Sequence, residues 1–309
     1  MEELEADDES SNGKKYHINC HKLLESNNYS TKEWLSSIQL LDTKFMPPRK
    51  KPRMSDKILM QALLDHNKDV VMKIGTTESI KNEWDIYAQL KSYKIPGVLK
   101  YYCYFHCEEK FKSIPDKPVS ICTGPGDTLK VLLLDFGIHN LSDFPWKTTQ
   151  QLQSCVHQSL LTVLQAYISF GFCHDDCHPR NFIIKKSNKQ ERTYTLGKTS
   201  IHVPLQGYET FMMDLEGSKQ QQPVKQLYKD LWVFCNDIAK QMLDKINAQQ
   251  LSQYTSALYD MMFSRPELNE KQTETIINMI HSISQSIILI RPNMEGGRYK
   301  LPWRKHKQK

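Results

Sequence analysis

"CHDDCHPRNF" (residues 173–182) packs two cysteines, two histidines and two aspartates into six residues, then adds a proline and an asparagine. Two chemistries ask for such residues at fixed offsets. One is metal binding: on a helix Cys173 and Cys177 would share a face, as would His174 and His178. Cys103, His106 and Cys107 offer a second such group. Structural zinc sites, however, usually bring tight ligand pairs from two separated knuckles, and Pro179 stops a helix from running on. A plainer reading is small buried cysteines in an ordinary polar loop. The other chemistry is phosphoryl transfer. It needs a carboxylate that orients the acceptor, an asparagine a few residues on and a second aspartate to hold metal ions, and a lysine held by a glutamate. His174, Asp176 and Asn181 carry the H-x-D-x-x-x-x-N offsets of that chemistry.

Outward from this stretch the apolar periods change in a consistent order. Upstream, "QLQSCVHQSLLTVLQAYISF" sets Leu152, Val156, Leu160, Val163, Leu164 and Tyr167 on one helical face. Downstream, "NFII", "TYTL", "TSIHV" and "ETFMMD" read as short strands. "KQLYKDLWVFCNDIAKQML" then predicts a helix with Leu227, Leu231, Phe234, Ile238 and Met242 on one face, and "LSQYTSALYDMMF" and "TETIINMIHSISQSIILI" predict two more. Before residue 136 the pattern differs. "SSIQLLDTKF", "KILMQALL", "DVVMKI" and "KVLLLDF" read as strands, and "GPGD" (124–127) turns the chain before the last of them. One helix interrupts them, "ESIKNEWDIYAQLKS", with Ile80, Trp84, Tyr87 and Leu90 at helical spacing. The reading is an α+β chain, strand-rich first and mostly helical after.

The totals set bounds on the function. At 309 residues the chain has room for one large domain or two lobes. Charged residues make 25% and apolar residues 39%, and no apolar run has the length of a bilayer span, so no membrane partner is expected. The start, "MEELEADDESSNG", is acidic and polar, the opposite of a signal peptide, and residues 1–15 read as disordered. Eight cysteines without such a signal read as reduced thiols in an intracellular, cytoplasmic protein. The net charge of +6 is concentrated in "PPRKKPR" (47–53) and "RYKLPWRKHKQK" (298–309). These read as solvated segments open to acidic partners, with nuclear targeting through Pro47–Arg53 as the alternative. No zinc-finger spacing or RNA-binding aromatic motif accompanies them, so nucleic acid is not an expected partner.

Five features stand in one order. Lys73 ends "DVVMK" in a strand, and Glu83 follows on the predicted helix, with Glu78 a weaker candidate nearer the helix start. Then come the 174–181 loop, Asp214 at the end of the strand "FMMD", and Asp230 at the start of an apolar helix. Over residues 33–290 this order resembles the eukaryotic protein-kinase superfamily. "NEWDIYAQLKSYKIPGVLKYY" and "LLLDFGIHNLSDF" are most similar to the casein kinase 1 and vaccinia-related kinase branch. Pared-down kinases of this kind are frequent in large DNA viruses. The resemblance implies a bilobal fold, with a small β-rich N-lobe (16–136, including an N-terminal extension), a mostly helical C-lobe (137–292) and a basic tail (293–309). It implies ATP and Mg²⁺ as cofactors. Lys73, held by Glu83, would place the α- and β-phosphates, and Asn181 and Asp214 would hold Mg²⁺. Asp176 would orient the acceptor hydroxyl, and His178 would donate to the γ-phosphate. His174 would prop the loop, and Asp230 would brace it. Leu134 would line the back of the adenine pocket, with the backbone of Asp135 to Gly137 against adenine. The "DFG" at 135–137 is a decoy, since the metal-binding aspartate must follow the loop.

The chain also departs from that pattern. No glycine lies between Gly13 and Gly75; "MPPRKKPRMSD" stands where a glycine-rich phosphate loop is expected. Glycines let backbone N–H groups approach phosphate, and prolines remove them. Arg49, Lys50, Lys51 and Arg53 could neutralise phosphate charge instead. Asp175 replaces the arginine of H-R-D. Asp230 follows Asp214 by only 16 positions, while the segment from Asn181 to Asp214 has room for an extra hairpin. His178 replaces the lysine of Ser/Thr kinases, so that "HxDxHPxN" with "DLE" also resembles aminoglycoside phosphotransferases. The expected function is a serine/threonine protein kinase acting on a protein substrate. A small-molecule phosphotransferase of aminoglycoside or choline type and a pseudokinase scaffold are the alternatives.

Overall fold

A computed structural model describes residues 19–20, 39–42, 58–64, 68–106, 111–113, 117–119, 129–137, 139–242, 245–247, 249–264 and 268–290. The expectations for 1–15, 47–53, 124–127, 293–309 and Cys107 lie outside the described residues. Two compact units divide the chain. The first takes residues up to Trp84 and Lys100–Phe136, and the second takes Asp85–Leu99 and the residues from Gly137 to Arg298.

The first unit is built on one sheet. Its strands are β1 (Asn19–Cys20), β2 (Gln39–Asp42), β3 (Ile58–Leu64), β4 (Lys68–Thr76), β5 (Tyr101–His106), β6 (Phe111–Ser113), β7 (Lys117–Val119) and β8 (Leu129–Asp135), in the order β1-β5-β8-β4-β3-β2-β6-β7. The four expected strands are β2, β3, β4 and β8. β1, β6 and β7 have two or three residues each, too few for a period of two to show. In β4, Met72 lies opposite Leu133 and Ile74 opposite Val131, while Lys73 faces Leu59 on one side and Leu132 on the other. Val131 to Leu134 are all buried, which is why β8 reads as an unbroken apolar run rather than an alternation. Helix α1 (Thr77–Ser92) follows β4 directly, and Ile80, Glu83, Trp84, Tyr87 and Leu90 form its buried face. The Trp84 ring packs on Tyr101 and Tyr104, with centroids 4.6 and 4.9 Å away.

In the second unit, helix α2 (Thr149–Phe170) starts where the Thr148 side chain accepts the Gln151 N–H. It ends at Gly171, whose φ of 66° lets its N–H reach Tyr167 O at 2.7 Å. The expected apolar face is buried, but so are Ser154, Gln158, Ser159, Thr162 and Gln165. Strands β9 (His139–Asn140), β10 (Phe182–Lys186), β11 (Glu191–Leu196), β12 (Thr199–Pro204) and β13 (Tyr208–Met212) explain this. β13, β10 and β9 form one sheet, and β11 with β12 is the extra hairpin, turning at Gly197 with φ 62°. The polar positions of α2 bond to these strands. Gln158 donates to Tyr208 O and accepts from Thr210 N, both at 3.0 Å, and Gln165 accepts from Thr195 N. Residues 97–99 join this unit through backbone bonds to Met212, Leu99 N to Met212 O at 3.0 Å and Met212 N to Gly97 O at 2.7 Å.

Helices α3 (Val224–Gln241), α4 (Gln249–Ser264) and α5 (Glu270–Ser286) complete the unit. A capping box between Asn269 and Gln272 opens α5. The last expected helix needs correction: it stops at Ser286, and Ile288–Leu289 form β15, antiparallel to β14 (Ile246–Asn247). An "SIILI" run fits the helical and the strand period alike. Its β-branched residues favour extended backbone once a partner strand supplies hydrogen bonds. Among the described residues no helix is long and apolar enough to cross a membrane.

His157 on α2 faces His281 on α5, ring centroids 5.5 Å apart, and its Nε2 has no hydrogen-bond partner among the described residues. Burial, then the neighbouring imidazole, lowers the His157 pKa from 6.5 to about 4. Between those values the unfolded chain binds more protons than the folded one, so stability falls as the pH drops through the window. From this group alone the loss between pH 7 and pH 4 is about 2–3 kcal/mol. Urea unfolding at both pH values should show a smaller acid loss for His157→Phe than for the parent by that amount.

Candidate active site

The loop after α2 hangs from one buried carboxylate. Asp230, on the inner face of α3, accepts the His174 N–H at 2.6 Å through Oδ2 and the Asp175 N–H at 3.1 Å through Oδ1. Burial pushes this carboxyl up to about 7, while the two N–H donors pull the other way. Fully buried His174 stands among aromatic rings, with centroids 6.3 Å from Phe172 and 6.5 Å from Phe182, and Phe182 meets Phe234 edge-on at 5.1 Å. Burial lowers the His174 pKa, keeping the ring neutral. Its Nε2 lies 2.9 Å from Met213 O, so the proton sits on Nε2 and is donated to that carbonyl.

The other end of the same residue is held from a second side. Met213 N donates to Asn181 O at 2.9 Å. Met213 is thus gripped by both its amide and its carbonyl, and Asp214, the next residue, is delivered beside Asn181. Sequence reading passed over Met213, because a residue that acts through its backbone leaves no side-chain signature. Pro179 opens a single 3₁₀ turn, Pro179–Asn181, with His178 before it. The turn brings Asn181 back to Asp176, where Nδ2 donates to Asp176 O at 3.0 Å and to Oδ2 at 3.2 Å. His178 Nε2 is 3.4 Å from the same Oδ2. The Asp176 side chain is 61% exposed and that of His178 24%, so the pair is open to an incoming group. With Nδ2 committed to Asp176, the remaining Asn181 amide atom is a carbonyl oxygen. Oxygen donors of the Asn and Asp kind suit Mg²⁺, and Asn181 and Asp214 fit that ion by donor chemistry.

Asp175 and Asp214 both adopt left-handed backbone, with φ of 63° and 59°. Asp tolerates this conformation better than most residues, at a local cost the surrounding bonds must meet. The thiol–imidazole metal reading meets a different geometry. Cys173 and Cys177 point into the core, where burial raises both thiols, whereas a metal binds the thiolate. Among the described residues no three donors of this loop converge on one point.

The first unit holds the remaining charged pair. Lys73 Nζ donates to Glu83 Oε2 at 2.5 Å, with both side chains buried at 4% and 0% exposure. Glu78 is exposed in the first turn of α1. Leu134 is buried, and Asp135 follows it at the strand end, where Oδ1 accepts the Phe136 N–H at 3.1 Å. Burial and then the Asp135 charge raise the Tyr102 hydroxyl pKa. Gly137, in the second unit, has a packing reason to be glycine: a Cβ there would lie 1.5 Å from Ile183 Cγ2.

No protein-family model matches the chain, and no curated protein matches it in sequence. Among solved structures it is similar to WaaP in complex with acyl carrier protein, at 11% identity and a TM-score of 0.41, over 84% of this chain and 98% of that one. It is also similar to a Stt7 homologue from Micromonas algae soaked with ATP, at 13% identity and a TM-score of 0.40, over 60% and 51%. At these scores the chemistry rests on the site's own geometry.

Replacing Asp230 with alanine strands two buried N–H donors. Asp230→Ala is expected to cost about 2–4 kcal/mol, and Asp230→Asn, which keeps one acceptor, less. Denaturant unfolding of the three proteins gives the order directly, and equal stabilities would contradict the bracing role.

Proposed function

We propose that the chain is an ATP-dependent phosphotransferase that moves the γ-phosphoryl group to a serine or threonine hydroxyl of a protein. The observation that carries the reading is the grip on Met213 by His174 and Asn181, because it sets Asp176, Asn181 and Asp214 on adjoining backbone. Phosphoryl transfer asks little covalent chemistry of a protein and much positioning. Asp176 accepts a hydrogen bond from the acceptor hydroxyl and aims its oxygen at phosphorus. The new P–O bond forms as the bond to ADP breaks, and the hydroxyl proton leaves toward Asp176. Asn181 Oδ1 and the Asp214 carboxylate would hold Mg²⁺, which when bound neutralises charge on the phosphate oxygens. Lys73, kept in place by Glu83, meets the α- and β-phosphates. His178 donates a ring N–H to the γ-phosphate.

An open Asp176 supports a hydroxyl carried on a protein surface. Within the kinases, the likeness of "NEWDIYAQLKSYKIPGVLKYY" favours the casein kinase 1 and vaccinia-related branch. An intracellular setting accompanies the reading, since ATP is the donor and Cys155, Cys173, Cys177 and Cys235 are free thiols. One observation favours a small-molecule acceptor instead. The stretch between Asp214 and the start of α3 at Val224 is short and bonded to the loop before it, leaving little chain to grip an extended peptide.

Labelled ATP and Mg²⁺ with casein or histone, beside a panel of aminoglycosides and choline, distinguish the acceptors. Label in precipitated protein supports the kinase, label in the soluble panel the small-molecule enzyme, and ATP binding without transfer a pseudokinase. Asp176→Ala should lower transfer about a thousandfold, near 4 kcal/mol of barrier, with ATP affinity kept. Equal rates for the two proteins would sink the phosphotransferase reading.

A further inference from the structure

Asp175 lies between His174 and Asp176 but takes no part in the contacts that join them to Asn181 and Met213. Its backbone N–H goes to Asp230, and its carboxylate turns to two lysines. Lys219 Nζ donates to Oδ2 at 2.8 Å and Lys229 Nζ to Oδ1 at 2.7 Å. These hydrogen bonds, Lys219's first, hold the Asp175 carboxyl below the usual carboxylate range, and Asp175 in turn raises the Lys229 pKa. Lys219 belongs to the stretch that follows Asp214, and Lys229 to the first turns of α3.

The backbone of that stretch is stitched to the loop along the same line. Cys173 and Lys219 exchange both hydrogen bonds at 2.9 Å, Gln222 N reaches Gly171 O at 2.9 Å, and Gln221 N reaches Phe170 O at 3.2 Å. Ser218 Oγ donates to His174 O at 3.2 Å. A segment ordered by phosphorylation needs a cationic loop to receive the phosphate. Here the signs are inverted: the fixed negative charge sits on the loop and the positive charges come from the segment and from α3. A phosphate added beside Asp175 would meet repulsion, and both nearby lysines are already engaged.

We propose that Asp175, Lys219 and Lys229 form a built-in charge clamp that holds residues 214–223 in their working position without phosphorylation. Asp175 is a positioning residue: it acts on Asp214 through the segment and touches no substrate. The effect on rate rests on the phosphotransferase reading, whereas the effect on the segment does not.

Asp175→Asn is the suitable variant, because asparagine tolerates the same left-handed backbone and only the charge is lost. Hydrogen exchange of the full-length protein should show the Lys219 and Gln222 amides exchanging about tenfold faster than in the parent. The double variant Lys219→Met/Lys229→Met should do the same, and combining all three should add nothing, since each removes the same interaction. In transfer assays Asp175→Asn should lower kcat about tenfold with KM for ATP within twofold, and phosphatase treatment should leave the parent's rate unchanged. A merely structural role would lower stability without this kcat-only effect. Unchanged exchange in Asp175→Asn, or a parent that loses its activity on dephosphorylation, overturns the clamp. If the parent transfers no phosphate to any acceptor, the functional reading fails, and the exchange measurement alone decides whether the clamp holds the segment.

Discussion

A single buried carboxylate organises the second unit. Asp230 sits on the inner face of α3, where two backbone N–H groups offset its burial. Such bonds to a charged acceptor are among the stronger ones, and losing either end leaves a buried group unmet. They dictate how the chain leaves α2, hence where the His174 ring points, hence where Met213 is held and where Asp214 emerges. The left-handed backbone at Asp175 and Asp214 follows from the same constraint. Each costs something locally, and each is over-determined by the bonds on either side.

The first unit solves a related problem with a pair of opposite charges. Lys73 is buried on β4, flanked by β3 and β8, where an unpaired ammonium would be expensive. Glu83 reaches it because a helix that begins directly after β4 puts position 83 on the same face as Ile80, Trp84 and Tyr87. Breaking such a pair costs more than the pair itself contributes, so it specifies the register of strand and helix.

Chain length is redistributed around the candidate site. The residues between Asn181 and Asp214 extend into the β11–β12 hairpin, while those between Asp214 and α3 shrink to a stretch bonded along the preceding loop. The hairpin and β13 together cover the polar side of α2: Ser154 donates to Pro204 O and Gln165 accepts from Thr195 N on the hairpin, while Gln158 donates to Tyr208 O on β13. The shortened stretch is held by backbone pairing and by the lysines around Asp175. A longer loop would have more freedom and would need an external signal to lose it.

Much of this was legible from local pattern. The spacing of Ile80, Trp84, Tyr87 and Leu90 determined a helix, and the apolar run at 131–134 determined a buried strand. The offsets from His174 to Asn181 determined which polar side chains could meet, because a proline turn closes that distance in only a few ways. Tertiary structure alone decided the rest. It sent Ile288–Leu289 into a strand, because only a partner at Ile246–Asn247 separates two periods that fit the run equally. It buried both sides of α2, because amphipathic spacing reports the apolar face and says nothing of strands that cover the polar one. It gave Met213 its part through main-chain atoms that every residue shares. It paired Asp175 with lysines 44 and 54 residues away, since the reach of a charge depends on distance in space and a sequence records only distance along the chain.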